Sequence, residues 1–277
     1  MDQQALWRPG AERIASARLS AFMAAVNARW NAGCSDYPSL WRWSVANPEA
    51  FWTSVWDDCG ALGERGETVL EDGDRMPGAR WFPQARLNYA RNLLRRRDDS
   101  DALVFWGEDQ VRRRLPNAEL YAQVSRCAQA LQAVGVGRGD RVAAYLPNMP
   151  EALIAMLATA SLGAIWSSAS PDFGVQGVLD RFGQIEPKVL LCVDGYWYNG
   201  KRVDCMARNA QIAAEMPTVE RCVVVSYLDA APDVAAIRHG QRYADFIAPC
   251  QAGEIDFVPL PFEHPLFIMF SSGTTGV

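Results

Sequence analysis

Near the C-terminus, Ser271-Ser272-Gly273-Thr274-Thr275-Gly276 combines four hydroxyls with two glycines. Glycine lets the backbone take positive φ values and approach a ligand closely, and hydroxyls with exposed N–H groups can surround phosphate oxygens. The apolar run Leu266-Phe267-Ile268-Met269-Phe270 feeds directly into these residues and reads as a buried-type strand. The chemistry this suggests is the gripping of phosphate. It is not a Walker A loop, because the G-x-x-x-x-G-K-[ST] spacing and its lysine are absent. A Ser/Gly/Thr cluster after a strand is also a common plain loop, so composition alone leaves both readings open.

Other residue types with chemical potential lack the spacing they would need. Gly135-Val136-Gly137-Arg138-Gly139 has the glycines of a dinucleotide loop, but it follows a helical pattern and precedes a strand, the reverse of the required order. The seven cysteines are widely separated with no C-x-x-C pair, which indicates neither a zinc site nor a disulfide framework. His239 and His264 have no carboxylate or nucleophile at a supporting spacing and read as structural. Arg95-Arg96-Arg97 and Arg112-Arg113-Arg114 are too short for polyanion tails and read as solvated faces.

Elements able to position the hexapeptide begin at about Asp101. Ala102 to Trp106, the Gly107-Glu108-Asp109 turn and Gln110 to Leu115 predict a hairpin. A helix follows, with Asn117 expected to cap it, Leu120, Val124, Cys127, Ala128 and Leu131 as its apolar stripe, and Gly135 as its left-handed stop. Strands are then expected at 142–146, 164–166, 189–193 and 221–225, with helices at 151–162, 175–185 and 204–216 between them. The continuous apolar runs of these strands suit a sheet covered on both faces. The expected fold is α/β, a doubly wound, mainly parallel sheet with helices on both faces. Residues 1–97 read as a helical and irregular N-terminal extension. Leu19, Phe22, Met23, Val26 and Trp30 mark one helix there, and Trp41, Trp43, Phe51, Trp52 and Trp56 are packing aromatics. Residues 98–277 read as the second domain.

Composition bounds the function classes. With 277 residues, 49% hydrophobic and 21% charged, the chain has the balance of a folded globular protein. A formal net charge of −5 gives no footprint for nucleic acid. The N-terminus lacks the pattern of a signal peptide, and no stretch reaches the roughly 18 apolar residues of a membrane span. A cytoplasmic protein with no nucleic-acid or membrane partner is expected, and its oligomeric state cannot be read.

The full hexapeptide is similar to the signature of the adenylate-forming superfamily, which includes the acyl-CoA synthetases. Arg80-Trp81-Phe82-Pro83 and Leu87-Asn88-Tyr89-Ala90-Arg91-Asn92-Leu93-Leu94 resemble the N-terminal extension of acetyl-CoA synthetase relatives. Four further segments resemble the acetoacetyl-CoA synthetase branch: Gly163 to Ser168, Ser170 to Gly174, Asp180 to Lys188, and Asp194-Gly195-Tyr196-Trp197-Tyr198-Asn199-Gly200-Lys201. The likeness runs from about Pro38 to the last residue.

That resemblance implies an ATP-dependent acetoacetate:CoA ligase acting through an acyl adenylate, with an acetyl- or propionyl-CoA synthetase or a non-catalytic nucleotide- or CoA-binding remnant as alternatives. ATP, Mg²⁺ and CoA are the implied cofactor and co-substrates. Ser271, Ser272, Gly273, Thr274, Thr275 and Gly276 would hold the β- and γ-phosphates. Ser170, Pro171 and Asp172 would lie near the CoA nucleotide, with Lys201 or Arg202 meeting its 3′-phosphate. There the chain has Tyr198-Asn199-Gly200-Lys201 where acetyl-CoA synthetases carry R-x-G-R, so one cation is missing, and an ordinary surface cation is the competing reading. In the family Pro-Lys usually follows the hexapeptide, and the catalytic residues and acyl pocket lie further on. The expectation is therefore an N-terminal fragment, inactive alone.

Overall fold

The computed structural model describes residues 6–108 and 110–271, which form two compact units, one up to Ala85 and one from Arg86 onward.

The first unit holds more helix than its sequence suggests. Four helices, α1 (Ala11–Ala15), α2 (Arg18–Trp30), α3 (Tyr37–Ala46) and α4 (Pro48–Asp58), replace the single helix expected. Only Phe22 and Val26 of the α2 stripe are buried; with Cys34 and Leu40 they form the small core, against which Trp43, Phe51 and Val55 pack. A capping box starts α3, the Asp36 carboxylate accepting from Ser39 N at 2.8 Å and Ser39 Oγ from Asp36 N at 3.0 Å. The aromatics obscure these helices in the sequence because several point outward, Trp41 being 57% exposed, so the apolar stripe is not clean.

In the second unit, after α5 (Tyr89–Leu93), β1 (Asp101–Gly107) and β2 (Val111–Pro116) make the expected antiparallel hairpin. Helix α6 (Asn117–Ala133) carries the expected stripe, and Gly135 takes φ +78° at its end. The cap differs. Asn117 is the first helical residue after Pro116, and its amide donates back to Ser100 O at 2.9 Å and Asp98 Oδ1 at 3.1 Å.

The sheet is doubly wound. Strands β3 (Arg141–Tyr145), β4 (Ile165–Ala169), β5 (Val189–Val193), β8 (Arg221–Val225) and β9 (Gly240–Arg242) lie in the order β9-β8-β5-β3-β4, every pair parallel. Alternation along each strand assigns its two faces. Val142, Ala144, Leu191, Val193, Val223 and Val225 pack with α6, α7 (Pro150–Ser161) and α10 (Tyr243–Ile247). Ala143, Tyr145, Leu190, Cys192, Cys222 and Val224 pack with α8 (Val175–Ile185) and α9 (Met206–Glu215). Both faces are covered, which is why the buried stretches 142–145, 189–193 and 222–225 read as unbroken apolar runs.

Between β5 and α9 the chain inserts a hairpin that the sequence reading missed, β6 (Gly195–Tyr198) and β7 (Lys201–Asp204). It takes the first residue of the helix expected from Asp204. Asn199 (φ +50°) and Gly200 (φ +72°) form its two-residue turn, the positive φ pair that matches strand twist.

Candidate functional site

Strand order sets where a site can form. The chain leaves β3 through α7 on one face of the sheet and leaves the adjacent β5 towards α9 on the other, which opens a crevice at the carboxyl ends of the strands. The segments singled out in the sequence, Ser170–Asp172 after β4, the β6–β7 hairpin after β5, and Ser271, all follow elements that run in this direction.

Leu266 to Phe270 lies along β4 rather than deep in the sheet. Trp166 N donates to Leu266 O at 3.1 Å, Ile268 N to Trp166 O at 2.9 Å, and Ser167 Oγ to Ile268 O at 2.8 Å. The expectation of a buried-type strand is corrected: one parallel bridge, Trp166 to Phe267, stands in place of a full ladder. Met269 is 85% exposed and Phe267 36%, because β4 supplies a neighbour on one side only among the described residues. With Asn148, Leu153, Met156 and Trp166 these side chains line an open groove of about 510 Å³. Ser271 is exposed at the end of this segment, and Ser272 to Gly276 lie outside the described residues.

The turn after β4 is tightly held. Tyr145, fully buried at the end of β3, directs its hydroxyl at Pro171 O (2.8 Å) and Phe173 O (2.5 Å). Pro171 O also accepts from Arg208 Nη1 at 3.0 Å. Both oxygens of the Asp172 carboxylate are taken, Oδ1 by Tyr196 Oη at 2.6 Å and Oδ2 by Ser170 Oγ at 2.7 Å. The Tyr196 and Ser170 bonds hold the Asp172 carboxyl below its ordinary range. Burial, and then the bond to this carboxylate, push the Tyr196 phenol up to about 12. Phe173 is 40% exposed under the Arg181 guanidinium, 4.3 Å from its ring centroid.

The hairpin is anchored at tip and base. Glu108 accepts from Asn199 N at 2.5 Å and Gly200 N at 2.8 Å. Arg202 pairs with Asp229, Nη2 to Oδ1 3.0 Å, both side chains more than half exposed. Lys201 stands exposed opposite Tyr198 at the tip. Beneath, the buried Asp194 carboxylate accepts from Tyr227 N, Leu228 N and Asp229 N at 2.8–3.1 Å. The loop after β8, and with it the partner of Arg202, is therefore built on Asp194.

Among the expected site residues, the structure thus brings Ser170, Pro171 and Asp172 beside the hairpin that carries Lys201 and Arg202, through the Tyr196–Asp172 bond. Tyr145 and Arg208 were not anticipated, and Tyr196 and Asp194 were marked only as members of a resembling segment, with no role. A tyrosine closing a buried strand was the available signal, since its hydroxyl must find a partner. The histidines are in structural places: His264 Nε2 lies 2.8 Å from Gly163 O, and the His239 carbonyl accepts from Cys222 N. Among the described residues no cluster of three or more His, Cys, Asp or Glu could hold a metal, and no helix is long and apolar enough to cross a membrane.

Comparison with known proteins finds relatives along practically the whole chain. The acetyl-coenzyme A synthetase N-terminus model matches residues 37–93. An acetoacetyl-coenzyme A synthetase of Rhizobium meliloti is 52% identical over 99% of this chain, and an acetoacetyl-CoA synthetase of Macaca fascicularis 39% identical over all of it. The structure of an acetoacetyl-CoA synthetase from Streptomyces lividans superposes with a TM-score of 0.90 at 41% identity over 99% of the chain. In each case the chain spans 42% of the other protein's length. The model of the AMP-binding enzymes matches residues 90–277, which include the whole parallel sheet, and the chain belongs to that family.

Proposed function

We propose that this chain is the part of an ATP-dependent acetoacetate:CoA ligase that grips the phosphates of ATP and faces CoA. The observation that carries the reading is the 52% identity to an acetoacetyl-coenzyme A synthetase along practically the whole chain. A carboxylate is a poor electrophile with a poor leaving group. In the proposed first step its oxygen attacks the α-phosphorus of ATP, and the bond to pyrophosphate breaks. In the second the CoA thiol attacks the acyl carbon of the adenylate, the thiol proton is lost and AMP departs. Protein groups contribute by positioning and by offsetting phosphate charge.

In this reading Ser271 to Gly276 receive the β- and γ-phosphates, and Thr274 and Thr275 supply the hydroxyls that matter most as charge builds on the leaving pyrophosphate. Mg²⁺ would come with the nucleotide and offset part of its phosphate charge, without needing a dedicated protein cage. Asp172 enters as a structural tie, its oxygens being occupied. Lys201 is the better candidate for the 3′-phosphate of CoA, because Arg202 is already paired with Asp229. The cytoplasm is the proposed setting.

The test uses a complete ligase containing these residues and separates the half-reactions. Thr274→Ala with Thr275→Ala should slow acetoacetate-dependent ATP–pyrophosphate exchange, each lost charge-assisted bond costing about 1.5–3 kcal/mol. Thioester formation from supplied acetoacetyl adenylate should change little, pyrophosphate having already gone. Equal loss in both halves, or exchange that does not depend on acetoacetate in the parent enzyme, would refute the reading.

A further inference from the structure

Arg208 projects from α9, outside the segments marked by resemblance, and its guanidinium joins the two stretches expected to face CoA. On one side Nη1 donates to Pro171 O at 3.0 Å and lies 3.4 Å from Tyr145 Oη. On the other, Nη2 donates to Asp204 O and Cys205 Sγ, both at 3.3 Å, at the foot of the β6–β7 hairpin. Tyr145 completes the join from the sheet, its hydroxyl spanning Pro171 O and Phe173 O. With one proton it cannot satisfy both carbonyls fully, and Arg208 provides the second donor at Pro171. Planar, multiply donating guanidinium suits such a bridge, whereas a lysine ammonium is a single point of donation on a flexible stem.

We infer that Arg208 and Tyr145 are positioning residues that lock the Ser170–Phe173 turn to the β6–β7 hairpin, so that the two segments present one preformed surface to the nucleotide end of CoA. Neither touches the coenzyme. Their work is finished before it arrives: a turn held in its bound conformation spares CoA the cost of ordering it. The inference rests on the ligase reading above for the identity of the ligand.

The experiment compares parent, Arg208→Met, Arg208→Lys and Tyr145→Phe forms of a complete ligase containing these residues. Loss of the bridge should raise KM for CoA about ten-fold in Arg208→Met, the low end expected for losing a charge-assisted bond. Tyr145→Phe should raise it less, and Arg208→Lys should recover only part of the loss. Acetoacetate-dependent ATP–pyrophosphate exchange, which precedes CoA, should stay within about two-fold, since adenylation does not use this surface. Both half-reactions falling together with the melting temperature would reduce Arg208 to a folding role and overturn the inference, as would an unchanged KM for CoA. Calorimetric titration with CoA decides the matter separately from the acid. If exchange shows that acetoacetate is the wrong substrate, a ten-fold weaker CoA Kd in Arg208→Met still upholds the positioning role and an equal Kd overturns it, while a parent enzyme that binds no CoA overturns both.

Discussion

Replacing Asp194 by Asn tests how the loop after β8 is built. The carboxylate is 2% exposed and receives Tyr227 N on Oδ1, Asp229 N on Oδ2, and Leu228 N shared between them at 3.1 and 3.0 Å. An amide keeps one acceptor oxygen. Its NH₂ then opposes the N–H of Asp229, and the remaining contacts lose charge assistance. Losing one bond to a charged group costs about 1.5–3 kcal/mol, and weakening the others adds about 1 kcal/mol or more each. The expected destabilisation is therefore about 3–5 kcal/mol, a large share of the stability of an ordinary domain. Because the chain has two units, a single melting midpoint is a blunt probe, and amide hydrogen exchange at residues 226–230 is the direct one. Exchange there should quicken well beyond that of β5 itself, and the Arg202–Asp229 pair should be lost with it. Unchanged exchange, or a cost under about 1 kcal/mol, would show that the four contacts do not hold the loop.

Asn88 donates from one amide nitrogen to Ala160 O, Ser161 O and Val258 O at 3.0–3.2 Å, so Asn88→Ala should cost about 2–4 kcal/mol in urea unfolding. Asn88→Asp, which cannot donate, should be no better than Ala, and a stable Asp variant would contradict the assignment. Iodoacetamide should label exposed Cys59 first in the native protein and leave Cys34, Cys127, Cys192, Cys205 and Cys222 untouched, since all five are buried and burial pushes Cys127 up to about 12 and Cys205 up to about 11. Early mass gain at any buried cysteine would count against the packing described. The Tyr196–Asp172 tie should stabilise the turn over a window of pH. A carboxyl held below its ordinary 3.8 contributes above that value and is lost as pH falls through its depressed one, whereas a phenol raised from 10.0 to about 12 contributes below 10 and is lost above. The melting difference between the parent and Asp172→Asn should thus be flat from about pH 4 to 10 and shrink outside it. A difference that varies through neutral pH would point to another group.

The sheet was legible because a strand buried on both faces must be apolar along its buried length, and 189–193 and 222–225 have that character. Helix α8 was legible to the residue for a related reason, its apolar positions sharing one face. What escaped was structure set by partners distant in sequence. The hairpin Gly195–Asp204 is short and mixed in polarity, and its tip is fixed by Glu108, 91 residues away from Asn199. Helices α3 and α4 hide behind tryptophans that are only partly covered. Ser170–Asp172 and Lys201–Arg202 were marked by resemblance, but besides the direct Tyr196–Asp172 bond the ties between them come from Arg208 and Tyr145, ordinary members of an amphipathic helix and an apolar strand. The Leu266–Phe270 run read as buried because all five residues are apolar, although alternate side chains face outward.

That last segment has a consequence for synthesis on the ribosome. Its bonds to β4 join residues about a hundred positions apart, Ser167 to Ile268 being separated by 101. At a translation rate of about 5–20 residues per second, the free edge of β4 would wait roughly 5–20 s for its partner. During that interval Trp166 and its neighbours present unpaired backbone to other nascent chains. An unpaired edge invites intermolecular pairing. Slow elongation between β4 and residue 266 should therefore increase aggregation of this protein, and a holding chaperone that covers sheet edges should relieve it.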